Sequence, residues 1–181
     1  MNKNRSFTFL ICIFYLLAFL VAGCGDLKIY SDFKPPEERL NKYKALEIAD
    51  FEAEIPNIPQ GALVEIPNEV QKLLASKRGE FEEVKREAIE DISPKDTLIL
   101  LGTITDYQSG TNVKMEGGAI KFGESGLAVR LSLVEEDSGR EIASGIVSGF
   151  SSLGLFRRGI FTKDVYQSIA EEIAKFISEN H

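Results

Sequence analysis

Apolar and polar positions change period several times along this 181-residue chain, and the period in each stretch predicts an element. Leu46 and Ile48 alternate with Ala45, Glu47 and Ala49 at a spacing of two, which predicts a strand that Pro56 and Pro59 end. Leu63, Ile66, Val70, Leu73 and Leu74 then fall on one face at helical spacing. This predicts a helix with Pro67 in its first turn or just before it, and Gly79 beyond its end. Phe81 to Val84 reads as a short second strand. "DTLILLGTITD", from Asp96 to Asp106, has the continuous apolar run Leu98 to Leu101 of a central strand covered on part of both faces. The stretch from Tyr107 to Gly126 carries five glycines and alternates weakly; it predicts a long hairpin excursion with a strand near Ala119 to Phe122.

The clearest period-two signal follows. Leu127, Val129, Leu131 and Leu133 alternate with Ala128, Arg130, Ser132 and Val134. Asp137-Ser138-Gly139 forms a turn, and Ile142, Ser144, Ile146, Ser148 and Phe150 face one way on the return. A last helix is predicted from about Thr162, whose hydroxyl can cap free amides while Asp164 suits the positive end of the helix dipole. Val165, Ile169, Ile173 and Phe176 or Ile177 form its buried stripe. Two helices for about five strands predict a two-layer α+β domain over residues 43–181, a mostly antiparallel sheet with both helices on one face.

The opening residues follow a different pattern. Lys3 and Arg5 precede an uncharged, mostly apolar run from Phe7 to Ala22, which is shorter than the roughly 20 residues that span a bilayer as a helix. A basic start and a short apolar middle predict an export signal over residues 1–23. The signal ends in Val21, Ala22, Gly23 and Cys24, which resembles the lipobox of bacterial lipoproteins. That resemblance implies cleavage after Gly23 and palmitate-type acylation of Cys24, which would then hold the protein to the lipid bilayer. Several acyl chains give stable anchoring, because each buried methylene adds about 0.8 kcal/mol. Gly25 follows Cys24 where the inner-membrane retention signal of enteric bacteria has Asp, so the outer membrane, facing the periplasm, is the expected site. Residues 24–42, with Pro35-Pro36 and dispersed charges, read as the lipidated cysteine and a flexible tether, although Tyr30 and Phe33 could dock on the domain instead.

Composition narrows the chemistry. Removal of the signal takes away Lys3 and Arg5 and leaves 19 basic against 28 acidic residues, a charge of −9. Such a surface repels phosphate backbones, and no basic stripe offsets it, so nucleic acid is not an expected partner. Cys12 lies inside the signal, which leaves Cys24 without a thiol to pair with. The one histidine, His181, is the last residue and has no companions at ligand spacing, so no metal, cofactor or histidine-based triad is expected. "SGFSSLG" is not a hydrolase elbow. Glu135-Glu136-Asp137 read as a solvated hairpin tip, and "GGAIKFGESG" lacks the G-K-[ST] ending of a phosphate cradle. An enzyme is therefore not expected.

One connection stands out. "SSLGLFRRGIFTKD", residues 151–164, combines Leu153, Leu155 and Ile160 with Phe156, Arg157, Arg158 and Phe161. These apolar groups either plug the end of the core or touch a partner. In the second case the arginines supply charge to an envelope protein or anionic headgroups, and the phenylalanines supply an anchor.

The segments "IADFEAEI", "SKRGEFEEV", "LLGTITDYQSG" and "LVEEDSGREIASG", followed by the terminal helix, resemble the envelope lipoprotein domains of the family named domain of unknown function 4410. In element order, over roughly residues 44–179, they are more distantly similar to the periplasmic domain of the curli secretion lipoprotein and to the amino-terminal domain of the Tol-system translocation protein. The resemblance implies an envelope location and a non-enzymatic protein-interaction or assembly role, with an envelope protein as partner. The alternative it implies is a subunit of an oligomeric secretion channel or envelope transport complex. It offers no catalytic residue to carry over.

Overall fold

The structure, a computed structural model, describes residues 27–77, 79–108, 113–116, 119–122, 125–151 and 161–181, with the backbone alone at 113–116, 119–122, 125 and 161–164. The elements in chain order are β1 (Leu27–Phe33), β2 (Ala45–Ile48), β3 (Glu52–Ala53), α1 (Gln60–Ala75), β4 (Glu83–Lys85), β5 (Thr97–Gln108), β6 (Val113–Glu116), β7 (Ala119–Phe122), β8 (Ser125–Glu135), β9 (Glu141–Ser151) and α2 (Phe161–Asn180). Seven strands form one sheet in the order β1-β9-β8-β5-β2-β4, with β3 beside β5; β6 and β7 make a separate two-stranded sheet. The fold is α+β, as the periodicity predicts.

The sheet is larger than five strands and mixed. Its long half is antiparallel, through β1, β9, β8 and β5. Its short half is parallel, because α1 carries the chain back between β2 and β4, and β2 and β3 both run alongside β5. Both helices sit on one face. Leu98, Leu100 and Ile104 of β5, the four alternating residues Leu127 to Leu133 of β8, and Val147 of β9 bury themselves against Val165, Ile169, Ile173 and Ile177 of α2 and Ile66, Val70 and Leu74 of α1. The sheet's alternation of two and the helix's stripe thus meet in one core. Gly149 lets α2 approach β9: a Cβ there would lie 2.9 Å from Val165 and 3.3 Å from Ile169.

Two expectations change. The tether is not free chain throughout: residues 27–33 are the edge strand β1, antiparallel to β9 from Leu27↔Ser151 to Phe33↔Gly145. Leu27, Ile29 and Phe33 pack on the core, and the Phe33 ring stacks on Phe176 at 4.2 Å between centroids. Seven residues of alternating chain next to an exposed β9 edge gain more by pairing than by staying solvated. Leu40 and Tyr43, farther along the same segment, are also buried.

Pro67 does not open α1 but lies inside it. A proline cannot donate to the carbonyl four residues back, here that of Leu63. The Phe51 amide donates to that carbonyl instead, at 3.4 Å, so the helix runs through the proline without stranding a buried acceptor. The helix ends at Ala75 with Ser76 as its C-cap, so Gly79, at φ +93°, lies three residues beyond the cap and is not the residue that terminates it. His181, at the chain end, packs edge-on against Phe81 with centroids 4.5 Å apart.

Candidate functional site

The strand parity that builds the core also fixes what faces away from the helices. Ile99, Leu101 and Thr103 of β5 alternate with its buried residues, as do Arg130, Ser132 and Val134 of β8 and Ser144, Ile146, Ser148 and Phe150 of β9. Tyr30 of β1 joins them, paired in register with Ser148 and touching the Phe150 ring edge-on at 6.1 Å between centroids. Among the described residues no element covers this face. Tyr30 is 60% exposed, Ile146 45% and Leu101 41%, the large apolar groups the sheet leaves in contact with solvent. Phe150 folds over Gly126, its register partner, where a Cβ would meet the ring at 2.7 Å. One ion pair, Arg130 to Glu54 at 2.7 Å, lies on the same side. The face is an apolar patch interrupted by hydroxyls and single charges.

The opposite end of the sheet carries a dense ionic cluster. Glu135, expected to be a solvated tip residue, accepts from Arg140 (Nε to Oε2, 3.2 Å), Ser138 (2.7 Å), Lys42 (3.2 Å) and the Tyr43 hydroxyl (2.6 Å). Glu38 adds a second carboxylate, 2.7 Å from Lys42 and also bound by Arg140. Arg140 and Tyr43 hold the Glu135 carboxyl far below the ordinary carboxylate range, and burial pushes the Tyr43 hydroxyl up to about 12. Both Glu135 oxygens, and Oε1 of Glu38, have cationic or hydroxyl partners. The arrangement fastens the β8–β9 turn to the helical turn Leu40–Lys42.

A cleft of about 330 Å³ opens between the helices, lined by Glu65, Asn68, Glu69, Tyr166 and Gln167. The Tyr166 hydroxyl is buried there without a partner among the described residues, and burial raises its pKa to about 12. The lining holds no Ser, Thr, Cys, Lys or His. Among the described residues no cluster of His, Cys, Asp and Glu could hold a metal ion, and no helix is long and apolar enough to cross a membrane.

Of the residues singled out from the sequence, Gly23, Cys24, Phe156, Arg157 and Arg158 lie outside the described residues; Phe161 opens α2, with its side chain outside them. The sheet's uncovered face was only partly legible. Ile142, Ile146 and Phe150 share a parity in the sequence, but Ile142, beside the register shift between Leu133 and Val134, is buried in the core, and parity alone does not say which face the helices take. The signal that decides it is the run Ala143, Gly145, Gly149: small residues on the opposite parity mark where β1 and α2 press close.

No family model matches the chain, that of domain of unknown function 4410 included, and no curated protein matches it. Solved structures do. The chain is similar to the PelC dodecamer from Paraburkholderia phytofirmans, with a TM-score of 0.56 and 15% identity over 83% of this chain and 99% of that one. A variant of the same dodecamer gives a TM-score of 0.53 at 15% identity, over 83% and 98% of the two chains. A lipoprotein from Neisseria meningitidis matches more loosely, with a TM-score of 0.43 and 12% identity over 72% of this chain and 98% of that one. At 15% identity the likeness to the PelC structures establishes a shared fold alone.

Proposed function

We propose that this chain is a lipoprotein of the bacterial cell envelope, cut after Gly23 and acylated on Cys24, whose α+β domain faces the periplasm from the outer membrane and works as a non-enzymatic protein-interaction or assembly module. The observation that carries the reading is the one-sided cover of the sheet. Both helices shield one face, while Tyr30, Leu101, Ile146 and Phe150 stand on the other among hydroxyls and single charges. Aromatic and aliphatic anchors on a flat, partly polar surface suit the buried centre of a protein interface. The paired Glu135 carboxylate, and a helix cleft lined without Ser, Thr, Cys, Lys or His, support the non-enzymatic reading. The segment with Phe156, Arg157, Arg158 and Phe161 is a second proposed contact, to the partner or to anionic headgroups.

The test is photo-crosslinking in intact cells from a reactive residue placed at Ile146. Capture of one discrete envelope protein, lost when Leu101→Asp is added, is the expected outcome; capture equal to that from Ser138 at the far end would refute the face. Radiolabelled palmitate should enter the wild type and not Cys24→Ser, and equal labelling would end the lipoprotein reading.

A second reading, a subunit of an oligomeric secretion or transport assembly, is favoured by the similarity to a protein that forms a dodecamer. A ladder of self-crosslinks from Ile146, with a matching mass by sedimentation, would support it and displace the adaptor.

A further inference from the structure

We propose that one end of the domain rests directly on the bilayer, with the β6–β7 hairpin lying in the lipid interface. This rests on the lipid-anchor reading and adds an orientation and a contact element to it. Only Gly25 and Asp26 separate Cys24 from Leu27, the first residue of β1. Three residue steps reach about 10 Å even when fully extended. An acylated Cys24 therefore holds the start of β1 close to the headgroups, without the spacer that a free tether would provide.

The register shows what else is at that end. Leu27 pairs with Ser151, the last residue of β9; Ser151 pairs with Ser125, the first of β8; and Gly126 pairs with Gln108, the last of β5. Both helices begin there too. Gly61, in the first turn of α1, lies beside Tyr166 near the start of α2, whereas Lys77 just beyond α1 reaches Ser178 near the end of α2 at 2.6 Å. The Glu135 hub and the β8–β9 turn are at the opposite end.

The β6–β7 hairpin is inserted between β5 and β8, so it leaves and rejoins the main sheet at the anchored end. It forms a sheet of its own. Its register pairs Val113 with Phe122 and Met115 with Ile120, which places four apolar residues on one face. Lys114 pairs with Lys121 on the other, which also carries the Glu116–Ala119 pair and so keeps a net positive charge of one. Two like charges directly opposite one another destabilise a hairpin in water but are favourable beside anionic headgroups. An apolar face backed by lysines is the composition of an interfacial element. Strands of four residues are too short to cross a bilayer, which takes about 9 to 11, so the hairpin lies in the surface rather than spanning it.

The experiment uses the full lipidated protein in vesicles of phosphatidylethanolamine and phosphatidylglycerol carrying a nitroxide-labelled lipid. Removal of the signal takes Cys12 away and acylation blocks Cys24, so a fluorophore can be placed on a single new cysteine: Gln60→Cys, Ile120→Cys or Ser138→Cys. The expected result is severalfold stronger quenching at positions 60 and 120 than at 138. A flexible insert of about ten residues between Asp26 and Leu27 should weaken the contrast at position 60. Equal quenching at all three positions in protein that floats with the vesicles overturns the orientation. Quenching at 60 without quenching at 120 overturns the hairpin's part in it. Protein that does not float overturns the lipid-anchor reading, and the orientation with it.

Discussion

Glu47 and Glu135 are both partly shielded carboxylates, yet their surroundings push them in opposite directions. Glu47 sits on β2 where burial, reinforced by the charge of Glu136, raises its pKa, so its ionised form opposes folding. Glu135 is held low by Arg140, Tyr43 and Ser138, so its ionised form favours folding. Linkage gives each a signed prediction. Glu135→Gln should be less stable than wild type at about pH 7. The gap should close as pH falls below the unfolded value of 4.5, towards the depressed folded value, because the wild-type carboxylate then loses its charge too. Glu47→Gln should be more stable than wild type at about pH 7, with the gain gone below that same unfolded value, where no charge remains to be buried. Urea midpoints for the three proteins across that range decide both. Parallel curves for Glu135→Gln and wild type would mean that the hub is a surface decoration and does not fasten the β8–β9 turn.

At the scale of elements, the edge strand β1 depends on a residue with no side chain. A Cβ on Gly145 would collide with the Phe33 ring and lie 2.8 Å from the Asp32 carbonyl oxygen; the second contact is backbone and cannot swing away. Gly145→Val should therefore push β1 off β9, at the cost of about 1 to 3 kcal/mol typical of overpacking. Amide exchange should speed up in residues 27–33 and remain slow in β5 and β8. Slowly exchanging β1 amides in the variant would show that the contact adjusts cheaply. The same strand marks the limit of what periodicity reveals. β5, β8, β9 and α2 were legible because their apolar residues repeat over ten or more positions. β1 was not, because Lys28, Ser31 and Asp32 interrupt it and its apolar positions pay off only against β9, far along the chain. The parallel pairing of β2, β3 and β4 was hidden for a similar reason: strands of two to four residues carry too few positions to declare a partner or a direction. Within α1, Pro67 misled because its missing donor is replaced through a long-range bond from Phe51, which no local pattern shows.

For the whole molecule, these contacts decide how much of the chain belongs to the folded body. If residues 27–33 were a spacer, a soluble chain starting at Lys34 would be as stable as one starting at Gly25. The structure predicts otherwise. Loss of β1 removes Leu27, Ile29 and Phe33 from the core margin, leaves Phe176 without its stacking partner and opens the Lys34 side of β9 to solvent. It also removes the bond from the Ser31 hydroxyl to Glu172 at 2.8 Å, which ties β1 to α2. The chain starting at Lys34 should melt several degrees lower, since each kilocalorie lost shifts a domain of this size by about 2 to 4 °C. It should also associate with itself, because a bare β9 edge offers unpaired amides and carbonyls next to Ile146 and the exposed sheet face. Calorimetry and sedimentation on the two chains measure both effects. Equal melting and equal mass would restore the spacer and lengthen the reach from the proposed anchor at Cys24 by seven residues. A lower melting point with association would fix β1 as part of the body, leaving the two residues Gly25 and Asp26 as all that separates the folded domain from Cys24, the proposed site of acylation.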